Sequence, residues 1–366
     1  MRKIGILTYH PYDNYGAVLQ AYALQSYISK HYNDDVEIID FCTDDQKHDN
    51  DILQLRRKKT IRSIISTLFY KLPIYFQLRR KRKRFDLFRK ENLYLTPLFK
   101  DSLSLFANLP RKDIFITGSD QVFNPYSKYT EIYYLGFEKG KAKKVAYAPS
   151  FGVSDMEKSV TAKLQEYLRD FDALSCREQT GADYLSQLLG IKVPCVADPV
   201  FLLSKEEWLK VAVTPPNVDN RSKYILVYRL NGGSELMRLA KKVGRIKQLP
   251  IICVANEARW RKGAQMEYSS GPSELLGLIN NADCVITDSF HGTSLSIVFE
   301  REIITYIANT KTSGRITSIM GIIGLTSNIV YNVDDFNYNN IIKVDYSKKL
   351  NSYISLSSNF LNSVLL

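Results

Sequence analysis

The chain has 366 residues, more than one ordinary hydrophobic core accommodates, so its length predicts two domains of about 150–200 residues each. The apolar fraction of 45% is typical of a globular protein and argues against a disordered chain. The formal net charge is +12. No stretch offers about 18 uninterrupted apolar residues, so we expect no membrane-spanning helix.

The amino terminus, MRKIGILTYHP, has an apolar run that is too short for a signal peptide. The cysteines are odd in number, scattered and without a CxxC pair, which is typical of reduced thiols in a cytoplasmic protein. They are Cys42, Cys176, Cys195, Cys253 and Cys284. The sequence has no paired histidines and no acidic triad at metal-binding spacing, so we expect no metal and no cofactor.

Nearly all of the positive charge lies in one segment. Residues 52–100 contain 15 Lys and Arg against two acids, which gives 15 − 2 = +13 and leaves 12 − 13 = −1 for the rest of the chain. Apolar residues from Ile61 to Leu72 recur at helical spacing before the run RRKRKR at 79–84. This pattern suits an anionic membrane surface. The alternative is a helical excursion packed on its own domain with solvated charges. Nucleic acid is not expected, because no recognised nucleic-acid motif accompanies the charge.

Apolar runs alternate with helical patterns through the first half of the chain. Strands are predicted over residues 3–9, 36–41, 113–118, 143–149, 171–178 and 193–199. Helices are predicted over residues 15–31, 155–169 and 178–189. Strands that alternate with helices predict a parallel sheet with helices on both faces.

The same alternation restarts after the loop 204–220, which contains TPPN. Strands are predicted over 223–230, 250–255, 283–288 and 302–308, and helices over 234–246, 272–282 and 350–366. We therefore predict an α/β protein of two Rossmann-like, doubly wound domains facing a cleft. The predicted parts are 1–204 with a basic helical insertion at about 45–108, 205–345, and a helix at 346–366 that packs back.

Polar residues follow the ends of most of the predicted strands, where ligands bind in open α/β sheets. Each alone is a weak signal, because Asp before a helix is usually a cap and Arg beside Glu is usually an ion pair. The candidates are Asn14, Gly16, Gln20, Ser119, Asp120, Gln121, Asn124, Arg177, Glu178, Asp198, Ser289, His291, Gly292, Thr293, Lys311, Ser313 and Arg315.

The chemistry of these residues favours a small, doubly anionic ligand and a hydroxylic acceptor. Arg177 and Arg315, together with Lys311, suit carboxylate or phosphate oxygens. The helix predicted after His291 opens with backbone N–H groups that suit an anion. His291 can exchange a proton near neutral pH and Asp120 can deprotonate a hydroxyl, although a neutral capping role for His291 stays open. The glycine-rich phosphate loops GxGxxG and GxxxxGK[ST] are absent from the sequence.

Five motifs together resemble the polysaccharide pyruvyl transferase family. They are DNYGAVLQAYAL, FITGSDQVFNP, LSCREQTGADYL, VADPVFLL and ITDSFHGTSLSIVF, in that order between Asn14 and about Leu325. The resemblance implies a GT-B-like architecture and transfer of the pyruvyl group of phosphoenolpyruvate to two sugar hydroxyls, forming a cyclic ketal in capsular, extracellular or cell-wall polysaccharide. The basic segment is not part of the resemblance.

The resemblance also implies roles for individual residues. Arg177 and Arg315 would contact the two anionic groups of the donor, and His291 would act as general acid or contact the leaving phosphate. Asp120 would serve the acceptor side as base or orienting group, and Asn14 and Gln20 would contact the sugar. Further donor or acceptor contacts are expected from Ser289, Gly292, Thr293, Lys311, Ser313, Gly16, Ser119, Gln121 and Asn124.

The partners expected are phosphoenolpyruvate and a sugar acceptor, galactose by analogy, carried on a lipid at the inner face of the cytoplasmic membrane. The donor domain would be the second one and the acceptor side the first. Two alternatives stay open: a nucleotide-sugar glycosyltransferase of the same architecture, and a non-catalytic anchoring protein of a polysaccharide assembly complex.

Overall fold

The computed structural model describes residues 1–49, 51–53, 60–140, 142–152, 158–219, 222–230, 233–255, 263–308 and 314–366. The predicted ligand contacts Lys311 and Ser313, and the basic run at 56–59, lie outside the described residues.

The first sheet has five parallel strands in the order β2-β1-β3-β4-β5. These strands are β1 (Lys3–Leu7), β2 (Asp35–Ile38), β3 (Ile114–Thr117), β4 (Lys143–Ala146) and β5 (Ala173–Leu174). The helices of this half are α1 (Tyr15–Tyr32), α2 (Asp44–Asp49), α3 (Ile61–Lys71), α4 (Tyr75–Asn92), α5 (Ser102–Asn108), α6 (Thr130–Tyr133), α7 (Lys158–Leu168), α8 (Gln179–Leu189) and α9 (Lys205–Leu209). The central strand β3 is largely apolar and wholly buried, as a parallel strand covered on both faces requires.

The second sheet has six parallel strands in the order β11-β10-β9-β6-β7-β8. These strands are β6 (Ile225–Arg229), β7 (Ile251–Ala255), β8 (Gln265–Glu267), β9 (Cys284–Thr287), β10 (Glu302–Tyr306) and β11 (Ile329–Val330). The helices are α10 (Gly233–Lys247), α11 (Pro272–Asn281), α12 (Phe290–Val298), α13 (Gly314–Ile323) and α14 (Ser347–Leu365). The two parallel sheets with their helices confirm the predicted α/β, two-domain fold class.

Strand order reverses once in each sheet, and ligands bind at such points in doubly wound folds. In the first sheet the reversal lies between β1 and β3, and in the second between β6 and β9. The two reversals approach one another through α1, which packs against α11 and α12. The Tyr15 hydroxyl donates to the Ser270 carbonyl at 2.6 Å, and the Tyr15 ring meets the Tyr228 ring edge to face at 5.6 Å.

The carboxyl-terminal helix α14 returns to the first half of the chain. Ser357 Oγ accepts from the Ala197 N–H at 2.7 Å, and the Tyr353 hydroxyl donates to the Val196 carbonyl at 3.0 Å. Tyr27 on α1 donates to Ser358 Oγ at 3.0 Å. Helix α14 thus ties the end of the chain to the first sheet.

Several predicted elements differ from the structure. The strand predicted over 193–199 does not form: Cys195 makes an isolated bridge to Cys176, and Asp198 caps a short 3₁₀ helix that begins with Pro199. The short strands β8 and β11 and the helix α9 are not predicted. Two- and three-residue strands carry too little periodicity to be recognised, because they depend on their neighbours for pairing.

The basic insertion divides into two parts with opposite environments. Helix α4 is packed: Phe85 and Phe88 are buried in the core, and Arg84 pairs with Glu274 on α11 at 3.0 Å. Lys81 lies over the Tyr15 ring at 4.6 Å, and burial lowers its pKa to about 8. Helix α4 therefore follows the packed alternative, whereas α3 exposes most of its apolar residues.

We expect Phe85→Ala to destabilise the protein by about 3–5 kcal/mol, because it empties a fully buried site between α1 and α4. The matched variant Phe76→Ala removes the same ring from the same helix where it is 80% exposed, and should change stability little. Urea unfolding of the two variants measures the difference. Equal effects would contradict the packing of α4.

Candidate functional site

The turn that follows β3 begins the site. Gly118 has φ 131, and a Cβ there would lie 1.9 Å from the Tyr147 carbonyl oxygen, so only glycine fits. The next residue, Ser119, donates its backbone N–H to Gln20 Oε1 at 3.1 Å, and its Oγ lies 3.0 Å from Asp198 Oδ2. Gln20 is fully buried, so it holds this turn in place and has no surface to offer a sugar.

Arg177 follows β5 and lies at the centre of the site, 2% exposed. Its Nη1 donates to Asp198 Oδ2 at 2.6 Å, its Nη2 lies 3.5 Å from Asp120 Oδ1, and its Nε lies 4.0 Å from Glu178 Oε2. The guanidinium also lies over the Phe290 ring at 4.5 Å. Arg177 is therefore surrounded by three carboxylates and an aromatic face.

This packing fixes the charges of the central pair. Burial by itself lowers the pKa of Arg177, but the neighbouring carboxylates, Asp198 first, outweigh it and raise that pKa above its usual value. Burial by itself raises the pKa of Asp198, but His291 and Arg177 outweigh it and hold that pKa well below its usual range. Asp198 is therefore ionised at neutral pH.

His291 comes from the second sheet, on the first turn of α12. Its Nε2 lies 3.6 Å from Asp198 Oδ2, an ion-pair distance. Its other face meets the first helix of the chain, where a Cβ on Gly16 would lie 2.0 Å from His291 Nδ1. Gly16 is therefore required for the close approach of α1 to this imidazole, and the residue acts as packing for His291.

The backbone N–H groups of Gly292 and Thr293, in the first turn of α12, are hydrogen-bonded within the helix start. Ser289 caps the helix, with Oγ accepting from the Gly292 N–H at 3.3 Å and its carbonyl accepting from the Thr293 N–H at 2.9 Å. Thr293 is fully buried, and its hydroxyl donates to the Ser289 carbonyl at 3.0 Å. These two N–H groups hold the helix start, and through it His291, and are not left over for an anion.

Arg315, on the first turn of α13, contacts the loop that follows β3. Both of its terminal nitrogens donate to the side-chain oxygen of Gln121, at 2.8 and 3.0 Å, with that carboxamide oriented to satisfy the contacts. Burial, and next the charge of Arg177, lower the pKa of Arg315. Among the described residues no carboxylate lies within ion-pair distance of Arg315, in contrast to Arg177.

The two predicted asparagines lie on the side of the first sheet. Asn14 caps α1, accepting from the Gly16 N–H at 3.0 Å and the Ala17 N–H at 3.3 Å, and is otherwise exposed. Asn124 Oδ1 accepts from the Tyr126 N–H at 3.0 Å. Both asparagines shape loops beside the reversal of the first sheet.

Four polar atoms at the centre of the site are buried without a hydrogen-bond partner among the described residues. They are Arg177 Nε, Arg177 Nη2, Glu178 Oε2 and His291 Nε2. Most buried polar atoms in proteins are paired, so such a cluster is the mark of a site built for something other than stability.

Two residues of the site were not among the predicted functional residues in their observed roles. The sequence presents Asp198 only as a polar residue after a predicted strand, although in the structure it contacts Arg177, Ser119 and His291. The sequence feature that points to Asp198 is the presence of VADPVFLL beside LSCREQTGADYL, the motif with Arg177 and Glu178, among the five motifs of the family resemblance. Phe290 had no signal, because an aromatic residue at a helix start is usually core.

The fold and site together define a two-sheet α/β enzyme whose polar centre lies where the reversals of both sheets meet. The family model for polysaccharide pyruvyl transferases matches residues 14–310. The chain belongs to the polysaccharide pyruvyl transferase family and is a transferase. No curated protein matches the chain.

Three of the solved structures similar to this chain are complexes with UDP or a UDP-sugar. Arabidopsis thaliana UGT89C1 complexed with UDP-L-rhamnose has TM-score 0.52 at 10% identity, covering 100% of this chain and 98% of that one. S. aureus MnaA with UDP has TM-score 0.50 at 11% identity, covering 98% and 91%. UDP-GlcNAc 2-epimerase from Methanocaldococcus jannaschii has TM-score 0.48 at 14% identity, covering 97% and 93%. At 10% and 11% identity, the likeness to the first two structures shows the GT-B-like fold alone.

No group of three or more His, Cys, Asp or Glu side chains in the described ranges could hold a metal ion. Within the same ranges, no helix combines the length and the apolar character needed to cross a bilayer.

We expect Asp198→Asn to destabilise the protein by about 3 kcal/mol or more, because it leaves the buried Arg177 charge without its nearest counter-ion. The pKa of Asp198 is lower in the folded than in the unfolded chain. The stabilisation is therefore fully present above the usual aspartate pKa of about 4 and is lost as pH falls through the folded value.

Denaturant unfolding of wild type and variant at a series of pH values measures this difference, which should shrink on acidification. Asp334→Asn, which removes a carboxylate from an exposed pair with Arg238, is the control and should have little effect. A difference that stays constant or grows at low pH would contradict the assignment.

Proposed function

We propose that the protein transfers the pyruvyl group of phosphoenolpyruvate to two hydroxyls of a sugar in a surface-polysaccharide precursor, forming a cyclic ketal and releasing phosphate. The observation that carries this proposal is the cluster of buried, unpartnered polar atoms on Arg177, Glu178 and His291, in a chain of the pyruvyl transferase family. The donor is a small molecule with two anionic groups, which suits a site lined by two arginines.

Arg315 is the residue best placed to bind the donor's phosphate or carboxylate. It is a half-buried guanidinium whose partner is the neutral Gln121, and both loss of solvent and the charge of Arg177 lower its pKa. A bound anion would offset both effects. Arg177 is already engaged by Asp198, so we assign it to holding Asp198 and Asp120 in place. Its Nε, which has no hydrogen-bond partner among the described residues, is our candidate for contact with a donor oxygen.

His291 is our general acid. The alkene of the donor must gain a proton at its methylene carbon before its central carbon becomes electrophilic. The ionised Asp198 carboxylate, 3.6 Å from His291 Nε2, places a negative charge beside the imidazole that would carry this proton. The close contact of Gly16 with Nδ1 fixes the orientation of the ring.

Asp120 is our base on the acceptor side. It follows β3, is 9% exposed, and is oriented by Arg177 Nη2 at 3.5 Å. The first sugar hydroxyl adds to the cationic carbon and its proton passes to Asp120. The carbon–oxygen bond to phosphate then breaks, the second hydroxyl adds, and its proton balances the released phosphate. The proton given by His291 stays in the new methyl group.

The identity of the acceptor is proposed from family analogy, and its contacts are proposed among residues that follow the strands of the first sheet. We propose a sugar with two neighbouring hydroxyls, galactose in the first instance, carried on a lipid-linked oligosaccharide. The exposed Asn14 follows β1, and the half-buried Asn124 follows Asp120 after the neighbouring strand β3. These two asparagines are our candidates for sugar contacts.

We expect His291→Ala to lower the rate of phosphate release by roughly 10²–10⁴-fold with little change in melting temperature, as loss of a general acid does. His31→Ala is the control, because His31 lies in the last turn of α1, about 22 Å along the helix from Gly16. A variant that retains more than about a tenth of the wild-type rate would argue against the acid role.

Phosphate release from phosphoenolpyruvate, screened against defined oligosaccharides, tests the function itself. We expect release only with acceptors that carry two neighbouring free hydroxyls, and a thermal shift with phosphoenolpyruvate but not with UDP or GDP sugars. Shifts with nucleotide sugars alone would indicate a glycosyltransferase of the same fold. Absence of phosphate release with every acceptor would favour a non-catalytic anchoring protein.

A further inference from the structure

Helix α3 has an apolar face that the rest of the protein leaves exposed. We call Ile61, Ile65, Phe69, Leu72 and Phe76 the apolar stripe. Their exposed fractions are 77%, 61%, 73%, 55% and 80%. The spacing of these residues, at steps of three and four, places them on one side of a helix that continues through a short 3₁₀ turn into α4.

The orientation of α3 is the reverse of what an ordinary surface helix shows. Amphipathic helices of globular proteins turn their apolar stripe to the core. Here the buried residue of α3 is Thr67, and Ile61, Ile65 and Phe69 are exposed to solvent. Ile64 and Leu68 are half-buried at one edge of this face. The helix is nevertheless well formed, because Thr60 and Ser63 make a complete capping box at its start. From Ile61 to Leu72 the stripe runs about 16 Å.

Helix α4 continues this surface with positive charge. Arg79, Arg80, Lys83 and Lys90 are exposed, and we call them the cationic face. They lie at helical spacing with Phe76 on the side of α4 opposite the buried Phe85 and Phe88. No carboxylate among the described residues forms an ion pair with these four cations.

We propose that the apolar stripe and the cationic face together form a docking surface for an anionic lipid bilayer. Helix α3 would lie in the plane of the headgroups with its stripe in the acyl boundary, while the cationic face binds lipid phosphates. The buried side of α4, through Arg84 and Glu274, fixes this surface to both halves of the enzyme. The docking surface thus has a defined orientation relative to the site.

Charge complementarity selects the lipid surface over a second copy of the chain. A symmetric dimer through this patch would bring the cationic face of one copy close to that of the other, at a cost in like-charge repulsion. An anionic bilayer offers acyl chains to the apolar stripe and lipid phosphates to the cationic face. It can bind both at once, because the two lie along one continuous helical surface.

Vesicle sedimentation of the full-length protein tests the proposal, with phosphatidylcholine vesicles that contain or lack phosphatidylglycerol. We expect binding to the anionic vesicles that weakens as salt rises from about 0.1 M to about 1 M and the screening length falls from about 10 Å to about 3 Å. Equal binding to both vesicle types, or none to either, would overturn the proposal.

Substitutions at exposed positions separate the two parts of the surface. Ile65→Gln with Phe69→Gln should lower the partition constant about tenfold or more. Arg79→Gln with Arg80→Gln should lower it about tenfold or more on anionic vesicles only. The matched control is Leu356→Gln with Ile246→Gln, two apolar residues 61% and 53% exposed on other helices, which should bind like wild type. A control that loses binding as much as the stripe variant would overturn the proposal.

Point substitutions are needed because deletion of 52–100 would also remove Phe85 and Phe88 from the core. Sedimentation velocity tests the alternative that a second copy of the chain covers the apolar stripe. A wild-type dimer that the stripe variant dissociates, together with no vesicle binding, would overturn the proposal in favour of self-association. Vesicle binding requires neither phosphoenolpyruvate nor a sugar, so it stands or fails separately from the transfer activity. Phosphate release with a short, water-soluble acceptor should be unchanged in the stripe variant.

Discussion

Burial of the Arg177 charge is the constraint on which the rest of the site depends. A guanidinium that is 2% exposed must be compensated inside the protein, since an unpaired buried charge is strongly destabilising. Asp198 supplies the compensation at 2.6 Å and is itself fully buried, so it needs partners of its own. It finds them in Ser119 at 3.0 Å and His291 at 3.6 Å. One ion pair therefore aligns three loops that come from two different sheets.

The same constraint brings together the two halves of the chain, which share one of the three hydrophobic clusters of the protein. His291 reaches Asp198 only if α12 approaches the start of α1, and Gly16 is the residue that allows this approach. Helix α4 then closes the junction from outside, with Lys81 over Tyr15 and Arg84 against α11. Within the basic insertion, α4 thus packs against both halves of the chain, whereas the apolar stripe and the cationic face stay exposed to solvent.

The regular elements were largely predictable because their signals are local. The strands β1, β3, β4, β6, β7, β9 and β10 and the helices α1, α8, α10 and α11 lie within a few residues of the patterns that predict them. The strand expected over 193–199 was wrong, because its apolar residues serve a bridge at Cys195 and a turn capped by Asp198. Apolar runs of that length indicate burial but not extended pairing.

By itself, the sequence determined the α/β class, the two sheets, the family, and a set of polar residues at strand ends, because periodicity and motif order are properties of neighbouring residues. Only the tertiary structure decided which of these residues act together. In the structure Gln20 is buried and accepts a hydrogen bond from the loop after β3, and Arg177 is surrounded by three carboxylates. The contact of Arg315 is the neutral side chain of Gln121. The tertiary structure also divided the basic insertion, since the side of a helix that meets the core depends on what packs against it. Charge compensation and packing are long-range, and no local pattern encodes them.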